Sequence, residues 1–119
     1  MVSCTDADRK TADRAVQQFH DRFNAGEFAA IYADAAQEFR DTTEQGFWLD
    51  LLESVRQKAG GFESTSITSS RVETGTAGTT VTAVYETRFE RLSANEHFFW
   101  RISGDSARLL GYHIDAPNR

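Results

Sequence analysis

Apolar residues recur three or four apart in the first half of the chain and alternate in the second, so helices should precede strands. Ala12, Val16, Phe19 and Phe23 step by four, three and four between about Asp6 and Asn24, which is one face of a first helix. Asp6 and Asp8 suit its positive end, and Gly26 is placed to stop it in the left-handed conformation. A second, shorter helix is predicted over about Glu27–Ala36, burying Phe28, Ile31, Tyr32 and Ala35. Thr42 with Gln45 three residues later has the arrangement of a capping box ahead of a third helix. Phe47, Trp48, Leu51, Leu52 and Val55 form that helix's stripe, and Gly60-Gly61 ends it.

After Gly61 the chain becomes rich in Thr, Val, Ser and aromatic residues, and the period falls to two. The first strand, about Glu63–Thr74, carries Ile67 and Val72 at opposite parity, which a bulge between them, or an edge strand with one solvated side, would reconcile. Thr76-Ala77-Gly78 turns into a second strand, about Thr79–Arg91, with Val81, Ala83, Tyr85, Thr87 and Phe89 on one side. With Leu92–Asn95 as the next turn and Arg91 opposite Glu96, Phe89 meets Phe98, Thr87 meets Trp100 and Tyr85 meets Ile102. On the other face Glu90 meets His97 and Glu86 meets Arg101, pairs of opposite charge worth about 0.2–1 kcal/mol each. Gly104-Asp105-Ser106 leads to a last strand, about Ala107–Ile114, with Leu110, Tyr112 and Ile114 inward. The expected fold is α+β: three N-terminal helices packed on a curved four-stranded antiparallel sheet, one domain over 6–115 between short tails at 1–5 and 116–119.

Composition narrows the function classes. Hydrophobic residues at 39% and charged ones at 26% fit a globular domain, and no apolar stretch is long enough to span a bilayer as a helix. A net charge of -5 without a basic cluster argues against nucleic acid as a partner. The single cysteine, Cys4, allows no internal disulfide. Val2-Ser3-Cys4 has the form of the end of a lipobox, so Cys4 is the expected lipidation site, a periplasmic or lipid-anchored location is preferred over a cytoplasmic one, and the anchor is the only expected contact with a membrane.

Three helices followed by a four-stranded meander resemble the nuclear-transport-factor-2-like, or cystatin-like, superfamily. Phe19-His20-Asp21-Arg22-Phe23-Asn24, Ile31-Tyr32, Phe47-Trp48-Leu49-Asp50, Gly78-Thr79-Thr80-Val81 through Tyr85-Glu86, and Leu110-Gly111-Tyr112 together look like a bacterial family of small exported or lipid-anchored domains without assigned function. The resemblance implies helices packed into the concave side of a bent sheet, around a cone that is either open or filled. Enzymes of that superfamily place an acid or base in the cone beside an oxyanion donor.

The inward strand positions supply no such acid. They read Val81, Ala83, Tyr85, Thr87, Phe89, Phe98, Trp100, Ile102, Leu110 and Tyr112, with only Tyr and Trp tips as donors. Catalytic residues and cofactors are therefore not expected. No Ser nucleophile elbow occurs, and Gly60-Gly61 and Gly75–Gly78 lack the context of a phosphate loop. The three histidines, His20, His97 and His113, are not spaced as metal ligands. His97 and His113 share the outer sheet face, where two imidazoles make at most a surface site, and His20 reads as half-exposed.

These observations point to a non-enzymatic binding or interaction domain of the bacterial cell envelope. A small apolar ligand would sit among Tyr32, Trp48, Tyr85, Trp100 and Tyr112. Val84, Phe99, Arg101 and Leu109 would form an apolar patch ringed by charge on the outer face, suited to a homodimer. The alternatives are an acid–base enzyme of the isomerase or dehydratase type, using Asp21, Asp34 or Asp50, and a structural subunit of a larger assembly.

Overall fold

Gly26 ends the first helix as its position requires. Its φ is +75°, and the Glu27 and Gly26 amides bond back to the carbonyls of Arg22 (2.8 Å) and Phe23 (3.1 Å), the paired bonds of a Schellman stop. The computed structural model describes residues 4–116, with side chains from Asp6 onward, so Val2 and Ser3 and the side chain of Cys4 lie outside the described residues. Helix α1 runs over Cys4–Ala25, α2 over Phe28–Ala33, α3 over Gln37–Thr42 and α4 over Gln45–Ala59. Four strands complete the fold: β1 Phe62–Gly75, β2 Gly78–Phe89, β3 Ser93–Ser103 and β4 Ser106–Asp115. They form one open antiparallel sheet in sequence order, so the fold class is α+β.

The helical half differs from expectation at one point. Residues expected to bridge the second and third helices form the short α3, which makes four helices among the described residues where three were predicted. That removes the capping box. Thr42 sits in the last turn of α3 and donates to the Glu38 carbonyl (3.0 Å), while α4 starts after Glu44 without a side-chain cap. Phe47, assigned to the α4 stripe, is 63% exposed, whereas Trp48 and Leu52 are buried. The far end of α4 closes at Gly60, whose φ is +84° and whose added Cβ would lie 2.7 Å from the Glu90 carboxylate. Glu90 accepts from the Gly61 amide (2.6 Å), and the Arg91 guanidinium donates to the carbonyls of Gln57 (2.5 Å) and Lys58 (3.3 Å). The β2–β3 corner thus caps α4, satisfying carbonyls that the helix leaves free.

In β2 and β3 parity is as expected and register is not. Phe98 pairs with Ala83 in place of Phe89, six residues along β2, and Trp100 pairs with Val81. The chain turns earlier than predicted, the Phe89 amide bonding the Leu92 carbonyl (2.8 Å) and Ser93 pairing with Arg88. A shift of an even number keeps every side chain on its face, so the buried set survives. The charge pairs do not. Tyr85 faces Glu96, Val84 faces His97 and Glu86 faces Asn95, while Arg101 reaches Glu38 of α3 (2.7 Å). Two irregularities set the edges. In β1 the pairing slips at Thr68, which brings Ile67 and Val72 onto the same face, opposite Tyr85 and Val81. In β4 the slip falls at Leu110, so Leu109 takes the inward place opposite Trp100. Leu109, assigned to the outer patch, is 2% exposed in the core, and Leu110, assigned inward, is the bulged residue.

The core between α1 and the sheet is aromatic. Phe19, Phe98 and Tyr112 meet with centroids 4.9–5.2 Å apart, Trp48 stands edge-on to Phe39 (5.0 Å) and Tyr112 (5.8 Å), and Trp100 stacks on Phe98 (5.7 Å). Such pairs add about 0.5–1.5 kcal/mol each beyond their burial.

Candidate functional site

Where α1 crosses the sheet, one polar residue from every strand converges with one from the helix. Glu96 of β3 is at its centre, 1% exposed. Its Oε1 accepts from Thr87 Oγ1 of β2 (2.6 Å) and faces His20 Nε2 of α1 (2.7 Å), and its Oε2 accepts from the Tyr112 hydroxyl of β4 (2.5 Å). Thr87 in turn lies 2.8 Å from Thr65 Oγ1 of β1. An acid group removed from water is stabilised only if its lone pairs are met, and here two hydroxyl donors and an imidazole nitrogen surround one carboxyl. The His20 ring lies flat on Phe62, with centroids 3.9 Å apart and planes 6° apart. His20 Nδ1 is buried without a hydrogen-bond partner among the described residues.

Burial pushes the Tyr112 phenol well above its ordinary pKa, and the Glu96 charge and hydrogen bond add to the shift. Tyr85 is raised likewise, by burial first and then by Asp13 of α1, which accepts its hydroxyl at 2.9 Å. Both phenols therefore remain donors, Tyr85 tying α1 to the sheet through Asp13 and Tyr112 tying β4 to β3 through Glu96.

Sequence reasoning missed this centre in two places. His20, expected half-exposed, stands four residues after Val16 and three before Phe23, within the apolar stripe, and is 1% exposed. A turn expected at Leu92–Asn95 hides that Ala94, Glu96, Phe98, Trp100 and Ile102 form one unbroken alternation, all buried. The inward face does hold an ionisable acid, contrary to expectation.

A carboxylate, an imidazole and a phenol in contact are the ingredients of proton transfer, but this set has no room for a substrate. Glu96, His20 and Thr87 are closed off from solvent. The hollow beside Trp100, lined by Phe19, Ile31 and Leu109, holds about 30 Å3, room for one or two waters. The Arg22–Asp34 ion pair (2.7 Å) borders it. Asp21, Asp34 and Asp50 are all exposed. Of the five residues assigned to a ligand, Trp48, Tyr85, Trp100 and Tyr112 belong to the packed core, and Tyr32 donates to the carbonyls of Thr43 (2.7 Å) and Arg40 (3.1 Å). A ligand there would have to displace side chains.

The outer face is different. Phe99 is 38% exposed and packs over Gly111 of β4, its Cδ2 lying 3.2 Å from where a Cβ would stand. Together with Val84, Thr82, Ser69, Ser70 and Arg71 it lines an open concavity of about 450 Å3 across β1–β3. Arg101 is half-buried and turned toward Glu38, whose carboxyl is held below the ordinary range by its own backbone N–H and by Arg101. Among the described residues no group of three or more His, Cys, Asp or Glu is placed to hold a metal, and no helix is long and apolar enough to cross a membrane.

The family model described as "Protein of unknown function (DUF4019)" matches residues 15–112, and the chain belongs to that family. The match runs from within α1 to Tyr112 and so includes His20, Glu96 and Phe99. No curated protein matches the chain. Among solved structures, "Structure of Bdellovibrio bacteriovorus Bd1075" is similar with a TM-score of 0.57 at 9% identity, which shows a shared fold. The similarity covers 93% of this chain and 41% of that one, so this chain spans less than half the length of its structural neighbour.

Proposed function

We propose that the chain is a non-enzymatic interaction domain of the bacterial cell envelope that works through the outer face of its sheet, where it pairs with a second copy of itself. The observation that carries this reading is the difference in finish between the two faces. The aromatic residues of the inner face pack on one another and the cleft beside Trp100 holds only about 30 Å3, whereas Phe99 stands exposed beside Val84 over an open concavity. An apolar side chain in such a place, ringed by Arg71, Glu86, Arg88 and His97, is how self-complementary sheet faces are built. The Val2-Ser3-Cys4 context supports an envelope location with the anchor at Cys4. The helices followed by a four-stranded meander with a bulge in its first strand support placement in the nuclear-transport-factor-2-like superfamily, where sheet-to-sheet pairing recurs.

Sedimentation equilibrium over a hundredfold range of protein concentration tests the pairing. The wild-type chain should dissociate from dimer to monomer across the series, and Val84→Glu with Phe99→Glu should be monomeric throughout. A wild-type chain that stays monomeric at the highest concentration would overturn self-pairing, and one that forms a dimer unaffected by both changes would move the interface elsewhere.

A further inference from the structure

The register of β3 and β4 sets His97 directly opposite His113, with ring centroids 5.5 Å apart and planes at 65°. We propose that this cross-strand pair is a binding site for a divalent transition-metal ion of the zinc class. Two imidazoles on one tetrahedral ion, with each nitrogen about 2.0–2.1 Å from the metal, hold their centroids about 5.2 Å apart. The pair is therefore within a few tenths of an ångström of the ligating separation. Such preorganisation is supplied by the backbone, because directly opposed residues of an antiparallel ladder have their Cβ atoms about 4.5–5.5 Å apart.

Access and chemistry agree with this. His113 is exposed and His97 half-buried, on the face away from the helices, so an ion can reach both. Among the described residues the histidine that bonds another side chain is His20, whose partner is Glu96, and the other two are not drawn into such a pair. Imidazole is a ligand for zinc, copper and nickel and not for calcium or magnesium, which select oxygen. The described residues bring no third ligand within reach, so water would complete the coordination, as in a site that keeps open positions. The next rung of the same face carries Asn95 opposite Asp115, which adds oxygen donors and a negative charge nearby. The site rests on the histidine register and on the open outer face of the single chain, and not on pairing with a second copy.

The test is NMR of the full chain, with the single thiol of Cys4 alkylated, titrated with zinc chloride. The ring signals of His97 and His113 should move together and saturate, while those of buried His20 stay in place. His97→Gln and His113→Gln, each checked by thermal melting to be folded, should each weaken binding about tenfold or more. Ring signals that stay unmoved up to millimolar zinc would overturn the proposal. So would shifts that persist with the same midpoint in either single variant, because the ion would then be held elsewhere.

Discussion

The two faces of the sheet are built from the same alternating strands, yet they treat charge in opposite ways. On the inner face Glu96 is enclosed, and its partners come from α1, β2 and β4. On the outer face Glu86 and Arg88 are exposed, and the exposed Phe99 is the residue that looks out of place. Polarity alone therefore does not assign a side chain to a face. Parity does, and a polar residue on the buried parity is tolerated when neighbouring strands deliver donors to it. The inner face meets its buried carboxyl with groups from three elements while leaving His20 Nδ1 and the Trp48 and Trp100 indole N–H groups without a partner among the described residues, whereas the outer face leaves Glu86, Arg88 and Phe99 to solvent.

The largest test of that contrast is Glu96→Ala. Removing the carboxylate strands the Tyr112 hydroxyl, the Thr87 hydroxyl and His20 Nε2 in the core, and denaturant melting should show a loss of about 3–5 kcal/mol. A loss under about 1 kcal/mol would mean that the three donors find other partners and that the network does not hold the helix to the sheet.

Alkali should act next. Tyr85 and Tyr112 both have pKa values raised above the ordinary 10.0, so in the unfolded chain they ionise at a pH where the folded chain still holds their protons. Stability is then unchanged below pH 10 and falls above it, by about 1.4 kcal/mol per pH unit for each phenol. Absorbance at 295 nm should show Tyr85 and Tyr112 titrating only with unfolding. Ordinary titration of these two in folded protein would contradict the enclosure of the inner face.

The smallest effect belongs outside. Phe99→Ser removes a partly exposed ring that packs over Gly111, and should change the stability of the monomer by about 0.2–1 kcal/mol. A loss comparable to that of Glu96→Ala would show that the outer face is as tightly integrated as the inner one.

Much of this architecture can be read from residue order. The 3.6-residue period of α1, its stop at Gly26, the end of α4 at Gly60 and the parity of β2 and β3 are local properties, written in one stretch of chain each. In β1 the opposite parity of Ile67 and Val72 allows either a bulge or an edge strand with one solvated side, and the slip at Thr68 decides for the bulge. Register is not local. Charge complementarity favours Glu90 with His97 and Glu86 with Arg101, but exposed pairs of that kind contribute too little to outweigh the corner at Glu90 and Arg91, which caps α4. The Glu96 centre is hidden for the same reason: its donors lie 9, 16 and 76 residues away, and only the assembled sheet brings them together. The bulge at Leu110, which exchanges the places of Leu109 and Leu110, carries no mark in a run of two identical residues.

The irregularities in β1 and β4 bear on how the molecule avoids its own kind. Both are margins of an open sheet, where unpaired amides and carbonyls offer a template for another chain to extend the ladder without limit. β1 breaks step twice, between Phe62 and Ser64 and again at Thr68, and β4 breaks step at Leu110 beside a carbonyl, that of Leu109, already taken by the amide of Ala36 (2.9 Å). Neither margin presents a long even row of free groups, so growth into fibres is frustrated at both sides.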